Sequence, residues 1–589
     1  MKDFFKYVFA SMLGYLLISI ILMFLFWGFM AVVISMAESG EEKIPEQAVL
    51  KISLNYPVSD RSDVDPFTAI FDLSGLDNQL DLGQILKNIE KAARDEDIKG
   101  IYLDLMQAPS GMATLTEIRK ALEEFKTSGK FIYAYSNVYT QKAYYLASVA
   151  DKVFIHPEGF MELKGLQGEV MFISGLLEKI GVNPQIIRHG KYKSAVEPLI
   201  MDRMSEANRE QTGRYVESLW DKMSGDIAES RGLTVDEINK LADGLDAQFP
   251  ENALKYHLVD SLIYFDQFLD MLAGHLDVDH VKKNQLVSMG KYKDVYVPTD
   301  EKRSRNKIAV VYAEGDIVQG EDVPQSIAGG SMSRLIRSVR LNDDIDAVVL
   351  RVNSPGGDGL ASDEILREVA LCAETKPVVV SMGNLAASGG YYISCKADKI
   401  FAQPNTITGS IGVFGVIPEM SELLNDKLGI TFDGVKTNEN SDYIPVTHPL
   451  SEYQRNMIQQ EIEGFYKTFI THVAEGRNLT IEYVDSIGQG RVWSGADAIE
   501  IGLVDELGGL QDAVAEAAAM ANLEDYRVVE YPERKDPFQK LIEEITGESF
   551  ETRIMERELG EFYPVYHQLK EIKQWSGVQA RLPFELIIR

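Results

Sequence analysis

The hydrophobic pattern is most uneven at the start of the chain. From Val8 to Ala37 no residue carries a formal charge, and Leu16 to Trp27 is apolar except for Ser19. As a helix rising 1.5 Å per residue, this run reaches ~45 Å, more than the ~30 Å of a hydrocarbon core. Lys2 and Lys6 precede it, and Glu38, Glu41 and Glu42 follow. That asymmetry predicts a single-pass anchor in a cytoplasmic (inner) membrane, with residues 1–37 holding a cytoplasmic N-terminus and the helix, and the remainder outside. Ser35-Met36-Ala37 has the small-x-small form of a signal-peptide cleavage site. The run is about twice the length of an ordinary signal h-region, which favours an uncleaved anchor. No later apolar run reaches the ~18 residues of a span, so the rest is expected to be water-soluble.

Beyond the anchor, short runs rich in Val, Ile and Tyr alternate with segments of helical periodicity such as Ile85–Arg94 and Leu335–Arg340. The alternation predicts βαβ crossovers and a largely parallel sheet, an α/β fold. The runs also repeat. Ile98–Leu105 (IKGIYLDL) matches Ile345–Val352 (IDAVVLRV), and Phe131–Tyr135 matches Val378–Met382, at the same offset of 247. Tyr144-Tyr145 with Tyr391-Tyr392, Asp151-Lys152 with Asp398-Lys399, and Pro157 with Pro404 keep that register; Gly181 and Gly429 show it slipping by one. Such persistence marks two copies of one module. They are placed at 45–295 and 306–530, separated by the polar stretch Tyr292–Asn306, with a charged, helical tail over 531–589.

Composition narrows the function classes. Lys+Arg number 59 against 90 Asp+Glu, a net charge of −31, which argues against nucleic acid as a partner. The two cysteines, Cys372 and Cys395, cannot form a disulfide framework and read as buried small hydrophobes. With eight scattered histidines and no HExxH, no metal site is expected.

Where the copies diverge, candidate chemistry emerges. The second copy follows its strand at Val352 with Asn353-Ser354-Pro355-Gly356-Gly357-Asp358-Gly359, a loop able to aim backbone N–H groups at an anion. It lacks the GK[ST] of a P-loop, which disfavours nucleotide binding. The first copy has lost the glycine pair, reading Met106-Gln107-Ala108-Pro109-Ser110-Gly111. The next strand of the second copy, Val378–Met382, leads through Gly383–Gly390 into a helix expected to carry Tyr391, Tyr392 and Ser394. Ser388 there sits at a strand-to-helix turn like a nucleophile elbow, although Ala-x-Ser-x-Gly only partly meets that signature. The alternative is a helix N-cap. The first copy has Gln141 at that position, which cannot act as a nucleophile. Conversely, the first copy carries Lys193 beside Ala195, Val196 and Pro198, where the second has Ser441. A lysine buried among apolar groups loses its proton and can serve as a base. One copy thus keeps a base without a nucleophile, the other a nucleophile without a base, as a composite site would.

These residues resemble the signal peptide peptidase A family, in its long double-domain (67K-type) form. The likeness is closest at GKYKSAVEP (190–198), RVNSPGGDG (351–359), NLAASGGYY (384–392) and TGSIGVFG (408–415). The resemblance implies two tandem ClpP/crotonase-like modules behind one transmembrane helix. It implies a Ser–Lys dyad of Ser388 (nucleophile) and Lys193 (general base), oxyanion donors at Gly357 and Gly389, no cofactor, and a bowl-shaped homotetramer. The implied function is a serine endopeptidase on the periplasmic side, acting on apolar peptides such as signal-peptide remnants. Asp358 departs from the family, where a small hydroxyl residue often follows the glycine pair. His189 is a rival base, and Ser194 and Ser354 are weaker nucleophiles. A crotonase-like acyl-CoA enzyme and an inactive membrane-associated scaffold are the alternative functions.

Overall fold

The computed structural model describes residues 2–37, 43–61, 80–297, 304–533, 579–582 and 587–588. The first element is a 36-residue helix, Lys2–Ala37. Its side chains are described without a break only from Phe9 to Leu25. Among the described residues no helix is long and apolar enough to cross a membrane.

Each copy builds its own sheet. In the first, the order is Ser261–Leu262, Lys152–Met161, Phe131–Tyr139, Ile98–Leu103, Ala48–Ile52 and Leu286–Ser288, all paired parallel. In the second, the order is Val492–Ser494, Ile407–Gly409, Val378–Ala387, Ala347–Ser354, Lys307–Glu314 and Arg527–Tyr531. Only the Ile407–Gly409/Val492–Ser494 pair is antiparallel there. Central strands have to be apolar on both faces when helices cover both, and Ala347 to Leu350 are all buried. The helix Leu82–Arg94 turns Leu82, Ile85, Leu86, Ile89 and Ala92 inward, the spacing of one helical face. Asp81 caps it by accepting the Gln84 N–H at 2.8 Å.

The duplication is visible atom by atom. Asp151 Oδ2 accepts the Ile132 N–H at 2.8 Å, and Asp398 Oδ2 accepts the Val378 N–H at 2.8 Å. Asp260 and Asp505 likewise receive the N–H groups of Val153 and Ile400. Tyr144 and Tyr391 donate to the carbonyls of Leu258 and Leu503. Cys372 and Cys395 are buried and free, their thiols pushed up by burial to about 11 and about 12.

A third sheet joins the copies. Its order is Ser326–Ala328, Asp316–Val318, Gly356–Asp358, Gln579–Arg581, Val413–Glu419 and Asn183–His189. The last strand comes from the first copy and pairs antiparallel with Val413–Glu419 of the second, from Val413↔His189 to Glu419↔Asn183. A buried ion cluster reinforces the junction. Arg351, fully buried, donates to Asp60 Oδ1 at 2.6 and 3.0 Å, to Glu117 Oε1 at 2.8 Å and to Ser381 Oγ at 2.8 Å. Burial raises the Glu117 carboxyl above its ordinary range despite the Arg351 charge, and its other oxygen accepts the Leu510 N–H. Asn384 and Thr114 exchange two further hydrogen bonds across the same boundary.

Three expectations differ in detail. The strand expected at Val378–Met382 continues to Ala387, because Leu385–Ala387 find a partner in Ile407–Gly409. The following helix is a single turn, Gly389–Tyr392, and leaves Ser394 outside. Of the tail expected to be helical, residues 534–578 lie outside the described residues. Among its described residues, Gln579–Arg581 and Ile587–Ile588 are strands.

Candidate active site

Extension of the central strand to Ala387 delivers Ser388 abruptly at its end. Ser388 has φ 57° and ψ −113°, a conformation costly for a residue with a Cβ. Its N–H donates to the Gly409 carbonyl at 2.8 Å, which locks the turn. The side chain makes no capping bond to the helix that follows, so the N-cap role is not the one it fills. Ser388 is fully buried.

Lys193 arrives from the other copy. The crossing strand ends at His189, and the chain turns through Gly190 onto residues 488–490 of the second copy. Tyr192 N–H donates to the Gln489 carbonyl at 2.9 Å. Gly490, at φ 82°, lies against Lys193 so closely that a Cβ there would stand 2.6 Å from its N and Cβ. From this footing the lysine side chain reaches Ser388, with Nζ 2.8 Å from Oγ. Nζ also lies 3.1 Å from Ser410 Oγ and 3.2 Å from the Ser410 carbonyl. Lys193 is fully buried, beside Ala195, Val196 and Phe414, and burial lowers its pKa well below the ordinary value. Among the described residues no ion pair reaches Nζ, so nothing offsets the desolvation of its charged form. A neutral amine has two donors and one lone pair. Ser410 satisfies donors, which leaves the lone pair for the Ser388 hydroxyl.

The glycine loop lies alongside. Gly356–Asp358 forms a short strand, with Ile317↔Gly357 in register. Gly357 is at φ 154°, and a Cβ there would stand 2.0 Å from the Ile317 carbonyl, so only glycine fits. The other glycine, Gly389, borders the loop at Gly356: a Cβ built on Gly356 would come within 2.5 Å of the Gly389 nitrogen. Asp358 turns away from the site. It caps the helix Gly359–Ala373 through the Ala361 N–H and accepts from Gln319.

The rival residues are occupied elsewhere. His189 stacks on Tyr466, ring centroids 4.0 Å apart. Ser354 donates to the Gly315 carbonyl and accepts the Gly356 N–H, and Ser194 accepts from Gln211. At the lost site of the first copy, Gln141 holds its own loop through Lys164, Gly165 and the Gly165 carbonyl. Ser441, the counterpart of Lys193, is exposed. Sequence reasoning missed Ser410 and Gly490. The first lay inside the quoted TGSIGVFG motif; the second had no signal beyond an isolated Gly-x-Gly at 488–490.

Comparison with known proteins decides the family. A model of peptidase family S49 matches residues 124–279 and again 370–524. The chain belongs to peptidase family S49. With that membership it is a serine peptidase, and each half of the duplication carries its own match. "Protease 4" of Salmonella typhi is 39% identical over 79% of the S49 chain and 76% of its own length. The chloroplastic serine protease SPPA of Arabidopsis thaliana is 31% identical over 92% of the chain and 78% of its own length. Among solved structures, a mutant ClpP1 from Listeria monocytogenes is 19% identical, with a TM-score of 0.24 over 35% of this chain and 94% of that one. A likeness this slight carries no structural argument.

Proposed function

We propose that the chain is a membrane-anchored serine endopeptidase working through a Ser388–Lys193 dyad. The supporting observation is the 2.8 Å contact between a fully buried lysine amine and a hydroxyl at a strained turn. Neutral Lys193 removes the Ser388 proton, and the alkoxide attacks a peptide carbonyl. The N–H groups of Gly357 and Gly389 receive the oxyanion; one such donor is worth ~2.7–4 kcal/mol of barrier. Protonated Lys193 then gives its proton to the leaving amine, and water hydrolyses the acyl-enzyme. The substrate is an extended peptide added to the edge of the glycine strand, where alternate side chains enter pockets. Apolar signal-peptide remnants have that form.

The anchor rests on the charge-free run Val8–Ala37, whose described large side chains, among them Leu16, Leu22 and Phe24, are exposed. The flanking charges put the active modules on the periplasmic side of an inner membrane. Assembly as a homotetramer completes the proposal. Release of the chain from membranes by alkaline carbonate would refute the anchor, and a monomeric mass by light scattering would refute the tetramer.

The deciding experiment is peptide hydrolysis by Ser388→Ala and Lys193→Ala. Each is expected to lower kcat by on the order of 10³ or more. Near-normal turnover in either defeats the dyad. Membership of a peptidase family and the formed Ser–Lys contact favour this reading over the acyl-CoA and scaffold alternatives.

A further inference from the structure

The strand that joins the two copies has a counterpart that joins nothing. Ser174-Gly175-Leu176-Leu177 through Gly181 repeats as Ser421-Glu422-Leu423-Leu424 through Gly429, with one residue more in the second copy. There Glu422–Lys427 forms a π-turn, whose i→i+5 bonds absorb the extra residue. Past that turn the offset is 248, so Asn183–His189 corresponds to residues 431–437. Its partner edge, Val413–Glu419, corresponds to residues 166–172 at the offset of 247, where Gly165 and Gly168 match Gly412 and Gly415.

Both counterparts are bare. Residues 429–436 belong to no helix or strand, and residues 425–441 are exposed throughout. Phe432 is 58% and Val435 100% exposed. The residues that follow have lost their cover as well: Val196 is 0% exposed, and its counterpart Ile444 is 44%. On the other surface, Gly168–Glu169 has Ile587–Ile588 on one edge, and among the described residues no strand takes its second edge. Met171 and Leu176, just after it, are exposed. An extended segment with apolar side chains and a free strand edge are each a template for main-chain pairing.

We infer that residues 431–437 add as an antiparallel strand to residues 166–172 of a second copy of this chain, repeating between subunits the junction that Asn183–His189 makes within one; the inference rests on the homotetramer proposed above. Transposing the register that runs from Val413↔His189 to Glu419↔Asn183 sets Thr437 opposite Leu166 of the partner subunit and Phe432 opposite Met171 of the partner subunit. The two surfaces are different patches of one chain. The contact is therefore head-to-tail, and its repetition closes the ring of four. Strand addition satisfies the main chain on both sides and covers Phe432 and Val435. The same transposition carries Ser441 toward Gln141 of the partner subunit, as Lys193 is carried to Ser388 within the chain. Each subunit junction then holds an inert counterpart of the candidate site, with neither nucleophile nor base, so working and empty sites alternate around the ring.

The test is disulfide cross-linking of the full chain in detergent, read on non-reducing gels, with the solution mass taken by light scattering. Met171→Cys with Phe432→Cys places two thiols opposite each other in this register. Met171→Cys with Lys436→Cys sets them four residues, about 13 Å, out of it. The native thiols of Cys372 and Cys395 are buried. The expected result is a ladder of linked dimers, trimers and tetramers from the first pair and none from the second. Co-expressed Met171→Cys and Phe432→Cys chains should give dimers only. Val435→Arg, at a side chain fully exposed in the subunit, should lower the solution mass below that of a tetramer with an unchanged circular dichroism spectrum. A tetrameric unaltered chain whose first pair fails to link, or links no better than the second, overturns the inference and leaves the tetramer standing; so does a Val435→Arg chain that stays tetrameric. Linkage of the first pair within a single chain also overturns it. A monomeric unaltered chain overturns the proposed tetramer, and the inference with it.

Discussion

Gly490→Ala tests whether the lysine is positioned by the copy it does not belong to. A methyl group at residue 490 would stand 2.6 Å from the N and Cβ of Lys193 and 2.7 Å from its Cα. Carbon contacts are comfortable from about 3.5 Å, so the backbone of Lys193 has to retreat by about 1 Å. The Nζ–Oγ distance of 2.8 Å then opens beyond a hydrogen bond. A displacement of that size in a reacting group costs about 10²-fold. The glycine strand is untouched, so KM should hold while kcat falls by about that factor. The substitution also forces a side chain into φ 82°, at about 1–2 kcal/mol of strain. Gly429→Ala controls for that strain, because Gly429 has φ 68° with nothing within 4 Å of a Cβ. The assay is steady-state hydrolysis of a peptide, with circular dichroism to establish folding. A folded Gly490→Ala whose kcat matches that of Gly429→Ala refutes the positioning argument.

Buried charge carries three further predictions. Burial lowers the Lys193 pKa, and turnover needs the neutral amine, so kcat/KM should fall as pH drops through a midpoint well below the ~10.4 of an ordinary lysine. The unfolded chain protonates that lysine up to ~10.4, so the site costs stability at neutral pH. Lys193→Met should raise the unfolding midpoint while abolishing turnover, and a lowered midpoint would contradict the sign. Arg351→Met leaves Asp60 and Glu117 buried without their cation and should destabilise by about 3–5 kcal/mol in denaturant titration; an unchanged midpoint would show that the cluster does not hold the copies together.

The parts legible in the sequence are those carried by local pattern. The buried strands keep apolar runs, and Asp151 and Asp398 keep the bonds that close equivalent strands, so the duplication survived as a fixed offset. Ser388 and Lys193 were legible through asymmetry between copies rather than through any single motif. What stayed hidden depends on contacts far apart along the chain. Nothing in Asn183–His189 announces that its partner is Val413–Glu419. Ser410 matters because its hydroxyl and carbonyl face an amine arriving from the other copy. Gln579–Arg581 has no strand pattern of its own and becomes one only between two edges that need a partner.

The crossing strand bears on what gene duplication achieved here. A second copy ordinarily supplies a spare, free to decay while the original carries on. If the proposed dyad holds, neither copy is spare, because each has discarded the half of the chemistry that the other retains. Severing the chain between residues 297 and 304 would not yield two lesser enzymes; it would yield none until the fragments reassociated through Asn183–His189. On that reading the duplication is irreversible: deletion of either half is expected to remove the function entire.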